Sequence, residues 1–353
     1  MSTNPDSSTV EQDAAPAEPP TEAPAGSRNM PWLPRLGWAV AIAVIASLVW
    51  LGLFGEVATV SVVTTALMYL LLAQAWNLLG GYGGYLNLGM AAFFGVGAYT
   101  TGILSGSYGF SILIALPAAM VVGALFALIV GGPTLRLRGP YFTIITLILS
   151  FLVMIVVYNA DFTRGAMGLF LDAPAAGPLS VEQFFFFLFL AGAMIVVLLV
   201  WWLERTAFVY ALRAIKEDED AAEVLGVATT RVKIQALVVG SVIAGFVGGL
   251  NSYRLGYIEP GGVFDLNISI DVVLMAVIGG AGSWIGPVIG APLIVMLSEF
   301  LRTRVVGVEV FGEQIPRESS RMVLGLLLLL AALYAKRGIV GLVQREKGSR
   351  FGV

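Results

Sequence analysis

The sequence predicts an all-α polytopic membrane protein with about ten transmembrane segments, several of them broken by glycine, and with both termini in the cytosol. Three observations predict it. Of 353 residues, 58% are hydrophobic and only 12% are charged, against about 25% charged in a soluble domain; mean hydropathy is +0.88. The apolar residues gather into runs near the ~20 residues that a helix needs to cross hydrocarbon. The charges gather between those runs. Net charge is −3, and nothing points to nucleic acid. Cysteine and histidine are absent, which excludes disulfides, thiol chemistry, zinc sites of the usual ligand type and histidine proton relays.

Residues 1–36 are rich in Pro, Ala, Ser, Thr and acids. They cannot bury a core and read as a disordered cytosolic tail. The transmembrane domain follows over 37–335, and 336–353 is a basic cytosolic tail. Expected spans are Gly37–Phe54, Val57–Leu79, Gly89–Leu104, Ile112–Gly131, Tyr141–Tyr158, Gln183–Leu203, Ile234–Tyr253, Ile268–Gly280, Val288–Leu301 and Arg321–Ala335. Three are short (Gly89–Leu104, Ile268–Gly280 and Val288–Leu301) and read as broken or re-entrant. Two outer segments, Asn159–Glu182 and Arg302–Ser320, are long enough for surface structure, the second for a short interfacial helix. With both termini inside, fourteen Lys and Arg fall on the cytosolic side and six outside, as the positive-inside rule requires.

The cytosolic loop over 204–233 is the most distinctive segment. Six charges fall between Lys216 and Glu223, so it cannot lie in lipid. Leu212, Ile215, Ala222, Val224 and Leu225 still keep partial helical spacing. Gly226 reads as a helix stop, with Thr229 and Thr230 as caps for the next helix. A short amphipathic helix pair at the membrane surface suits contact with a soluble partner.

Two glycine-rich stretches interrupt the apolar sequence. Gly80, Gly81, Gly83 and Gly84 would unwind a helix, and Gln74, Asn77 and Asn87 can satisfy the freed backbone. Gly279, Gly280, Gly282 and Ser283 form the second break. Either these stretches line a translocation path, or they let helices pack closely. The second lacks the lysine of a phosphate loop. Arg136 and Arg138 form a cytosolic turn that meets either lipid headgroups or a partner. Asp271 and Glu299 are the nearest approach to intramembrane carboxylates. No constellation supports catalysis.

Asp220-Ala221-Ala222-x-x-x-Gly226 resembles the E-A-A-x-x-x-G coupling loop of ABC importer permeases, with Asp in place of Glu. Four wider blocks (Gly80–Tyr99, Leu137–Leu147, Glu204–Val227 and Met275–Ala291) resemble permease subunits of branched-chain amino-acid ABC importers of the LivM type. The resemblance runs from about Val57 to Ala335. Tyr85, Asn87 and Met90 depart from the Gln, Ser and His often found there.

The resemblance implies a permease in a bacterial cytoplasmic (inner) membrane that moves branched-chain or other hydrophobic amino acids. Urea, amides and small carboxylates are the alternative substrates; an ion-coupled carrier is the rival mechanism. It implies a second related permease, two ABC ATPases and an extracytoplasmic substrate-binding protein as partners, besides membrane lipid. No cofactor is expected on this chain, since ATP and Mg serve the partner subunits. The coupling residues would be Glu217, Asp218, Asp220, Ala221, Ala222, Leu225 and Gly226. The small residues would enter an ATPase cleft, and the acids, Glu219 among them, would meet basic groups.

Overall fold

The computed structural model describes residues 32–171, 179–305, 309–310 and 313–314. The expected span Arg321–Ala335, both tails (residues 1–31 of the first) and Pro174 and Pro178 lie outside these residues. The chain divides into two units, 1–48 and 49–353. In the first, helix α1 begins at Trp32, ahead of the expected start, and runs on to Phe54.

The second unit is almost wholly helical. Helix α2 (Val57–Trp76) continues through π-helical turns to Tyr82. Then come α3 (Met90–Gly102), α4 (Ile112–Thr134), α5 (Pro140–Asn159) and α6 (Val181–Leu203). Two surface helices follow, α7 (Ala207–Glu217) and α8 (Glu219–Val224). Helix α9 (Thr229–Leu255), a single turn α10 (Pro260–Val263), α11 (Leu266–Gly280) and α12 (Ile285–Val305) complete it. Among the described residues, seven helices are long and apolar enough to cross a membrane.

Local chemistry sets these boundaries. Ser180 and Gln183 form a reciprocal capping box at the start of α6. Pro140 opens α5 behind Gly139, whose φ is +58°. Helix α9 is central and packs on α2, α3, α4 and α6. Small residues permit this: a Cβ on Gly248 would overlap the carbonyl of Phe94, and one on Gly97 would overlap Gly245. Helices α4 and α5 are peripheral. They turn Leu113, Val121, Leu125 and Ile129, and Ile144, Ile148, Leu152 and Ile155, outward. That suits lipid, which asks only that backbone groups be satisfied within the helix.

Several expectations need correction. Val288–Leu301 belongs to a full-length helix, not a fragment. The segment after Arg302 holds no separate helix among the described residues: α12 continues to Val305, and Glu309–Val310 pairs antiparallel with Glu313–Gln314. Asn159–Glu182 contains two 3₁₀ turns and a two-residue strand, Leu169–Phe170, paired with Tyr257–Ile258. Neither Thr229 nor Thr230 caps α9; the N-cap is Ala228, without a side-chain bond.

Candidate coupling site

The charged loop folds as a pair of short helices. Helix α7 buries Val209, Leu212 and Ile215, spaced three residues apart on one face. Asp218 separates the helices in extended geometry (φ −158°), and its carboxylate accepts from Ala221 N–H at 2.9 Å, capping α8. Helix α8 ends in a Schellman turn. Gly226 N–H donates to Glu223 O at 2.9 Å and Val227 N–H to Ala222 O at 3.0 Å. The turn needs Gly226 at φ +89°, where L side chains are strained.

One face of this turn is open. Val224 is 88% and Leu225 83% exposed, Ala221 and Gly226 are exposed, and nothing lies within 4 Å of a Cβ at Gly226. Ala222 departs from expectation. It is buried in its own chain, because α8 must seat one small side chain against the protein. Val224 replaces it on the presented face. Glu217, Asp218 and Asp220 are exposed, although Asp218 and Asp220 are engaged within the chain.

The other face is tied down by charge. Lys233, 2% exposed, donates to Glu219 Oε1 at 2.6 Å, to Tyr85 Oη at 3.0 Å and to Leu135 O at 3.1 Å. All three ammonium protons thus meet acceptors, as a buried lysine requires. The Tyr85 hydroxyl donates to Glu219. Arg138 Nε lies 3.5 Å from Glu219, and its Nη1 donates to Asp220 at 2.8 Å. So Arg138 meets this chain's own loop. Burial opposes the Glu219 carboxylate, but hydrogen bonds from Lys233 and Tyr85, with the charges of Lys233 and Arg138, outweigh it and hold its pKa below the ordinary value.

The loop also grips the first glycine-rich stretch, and side chains just ahead of that stretch hold the second. Lys216 Nζ donates to Gly81 O at 2.9 Å. Asn77 Nδ2 donates to Ser283 O at 2.9 Å, and Asn77 Oδ1 accepts from Gly282 N–H at 2.8 Å. Gln74 donates to Trp284 O at 2.7 Å. Ser283 Oγ accepts from Gly286 N–H at 3.1 Å, at the start of α12. Asn87 turns inward, accepting from Gly89 N–H at 2.8 Å. Gly81, Gly83, Gly279 and Gly280 are buried, Gly80, Gly282 and Ser283 are half-buried, and Gly84 is exposed at φ +75°. Helix α2 does not unwind at Gly80; it widens into π turns and ends at Gly83.

Lys233, Tyr85 and Val224 complete the site beyond the residues expected, and Glu219, expected to meet a basic group of a partner, pairs with Lys233 of its own chain. The available signal for Lys233 was a lysine set directly against the start of the expected span Ile234–Tyr253. The Tyr85 contact joins residues 134 apart and carries no local pattern.

Residues 58–332 match the family model for the branched-chain amino acid transport system permease component. The chain belongs to this family of permeases. Two similar relatives are high-affinity branched-chain amino acid transport system permease proteins LivM, from Salmonella typhimurium and Escherichia coli. Each is 29% identical over 82% of the present permease and 71% of its own length. The fructose import permease protein FrcC of Rhizobium meliloti is 27% identical over 70% of this permease and 69% of its own length.

Proposed function

We propose that this permease is the membrane subunit of an ATP-driven importer of branched-chain or other hydrophobic amino acids, and that Asp218–Gly226 is where the ATPase pushes. The observation that carries the reading is the two-sided loop. Its outer face offers bare Val224 and Leu225 to water, a poor arrangement without a partner. Its inner face is bonded to Lys233 of α9, to Arg138 beyond the end of α4, and to Gly81 of the first glycine-rich break.

In this reading the loop faces the cytosol, both termini lie on that side, and the membrane is the bacterial inner membrane. The transmembrane domain covers 37–335, between the tails 1–36 and 336–353. A second related permease completes the channel. Two ABC ATPases carry ATP and Mg, and an extracytoplasmic protein delivers the amino acid. Closure of the ATPases moves α7 and α8. Glu219–Lys233 and Lys216–Gly81 pass that movement to Gly80–Gly84, and the hydrogen bonds of Asn77 to Gly282 and Ser283 carry it to the second break at the inner closure of the path. ATP then drives the permease only through contacts that differ between its states.

Two variants at one position test this. Gly226→Asn tolerates positive φ and adds a short side chain into open space. Gly226→Arg adds a long charged one. The expected result is that both variants insert in the membrane, while only Gly226→Arg loses co-purification with the ATPases and ATP-driven leucine uptake. Unchanged assembly and uptake by Gly226→Arg would sink the docking role.

A further inference from the structure

Helix α6 presents one continuous stripe to its surroundings. Ile195, Leu198 and Trp202 are all more than half exposed, and their spacing of three and four residues puts them on a single face. Phe185, Phe189, Val196 and Val200 fill the opposite, buried face. Helix α6 is long and apolar enough to span a membrane, so an aliphatic stripe along it faces lipid tails. The stripe ends in chemistry that tails cannot satisfy. Trp202 lies in the last turn of the helix. Arg205 follows three residues on, exposed, its N–H donating to Trp202 O at 3.1 Å in the turn that closes α6.

Arg205 is held in place without being neutralised. Its guanidinium stacks on the Trp201 ring, 3.8 Å from the centroid. Stacking occupies a face of the guanidinium plane and leaves the in-plane N–H fork free. Neighbouring Glu204 does not serve it, because Glu204 Oε1 accepts from Arg213 Nη2 at 2.5 Å. Among the described residues no carboxylate pairs with Arg205. Glu204 and Arg213 cancel, and one positive charge is left where the apolar stripe stops.

We propose that this corner of α6 binds the phosphate of an anionic phospholipid, in the leaflet on the side of the charged loop. The acyl chains lie along Ile195 and Leu198. The Trp202 indole sits at the water–lipid boundary, where such amphipathic rings are favoured. Arg205 donates to the phosphate oxygens, a fork matched to that geometry. A zwitterionic headgroup brings an ammonium as well, and the nearest carboxylate, Glu204, is already taken by Arg213. The unbalanced positive charge therefore favours a lipid with net negative charge. The site depends on the spanning helix and its end, whatever solute the permease carries.

Lipid binding to the full chain tests this directly. The permease, stripped of lipid in detergent, is titrated with phosphatidylglycerol and with phosphatidylethanolamine, and bound lipid is counted by native mass spectrometry. Arg205→Gln is compared with Arg231→Gln, which removes an exposed arginine of α9 on the same side of the membrane and away from the stripe. The parent is expected to take phosphatidylglycerol in preference to phosphatidylethanolamine. Arg205→Gln should weaken phosphatidylglycerol binding about fivefold and abolish the preference, Arg205→Lys should retain it, and Arg231→Gln should leave both lipids unchanged. Undiminished phosphatidylglycerol binding by Arg205→Gln, or equal weakening by Arg231→Gln, would overturn the site. A parent without preference, or one that loses it in Arg205→Lys, would overturn the selection by charge. Displacement of phosphatidylglycerol by millimolar inorganic phosphate would show a site for the free anion and overturn the lipid assignment.

Discussion

Lys233 is the residue on which the coupling site turns. Its ammonium is buried beneath α8 and fully bonded. Removing one member of a buried ion pair leaves the other charge stranded, at a cost of about 3 kcal/mol or more. Lys233→Met is therefore expected to lower the thermal stability of the detergent-solubilised permease by that amount. The double variant with Glu219→Gln should recover part of it, because neither charge is then alone. A double variant no more stable than Lys233→Met would show that the pair does not anchor the loop. The pH dependence has a definite sign. Glu219 has a depressed folded pKa, so its contribution is fully present above the ordinary glutamate value of about 4.3. It is lost as pH falls through the lower folded value. Melting curves should show no Glu219-dependent change between pH 6 and about 5, and should converge on those of Glu219→Gln only in stronger acid.

At the scale of elements, the permease separates helices that must touch from helices that need only be greasy. Gly248 of α9 abuts the Phe94 carbonyl of α3, whereas Gly132 of α4 has nothing within 4 Å of a would-be Cβ. Gly248→Ala should cost about 2 kcal/mol by overpacking. Gly132→Ala should be neutral or stabilising by up to about 1 kcal/mol, through helix propensity. Thermal unfolding of the two variants side by side checks the contrast, and equal effects would contradict it. Most elements were legible because hydropathy and glycine are local signals. Nine expected spans coincide in large part with observed helices, and Gly226 ends α8 as read. Thr229 misled because a threonine before an apolar run resembles a cap, yet α9 is held by its packing and needs none. Ala222 misled because smallness alone does not say which face of a helix it occupies. The ties from Tyr85 to Glu219 and from Asn77 to Gly282 join distant segments, and spacing along the chain holds no record of them.

Across the whole molecule, one set of helices connects two regions of different chemistry. The glycine-rich ends of α2 and α11 meet through Asn77 and Gly282 beside Lys216 of the charged loop, and the opposite ends of α2, α11 and α12 carry Ser61, Asp271 and Ser298. What the loop touches beyond this chain decides the matter. The most direct measurement places a photo-crosslinking amino acid at Leu225 in the assembled, transporting complex. The expected result is an adduct of this chain with an ATPase subunit, whose yield changes when ATP is bound. ATP-driven leucine uptake with no such adduct would contradict the coupling role of Asp218–Gly226.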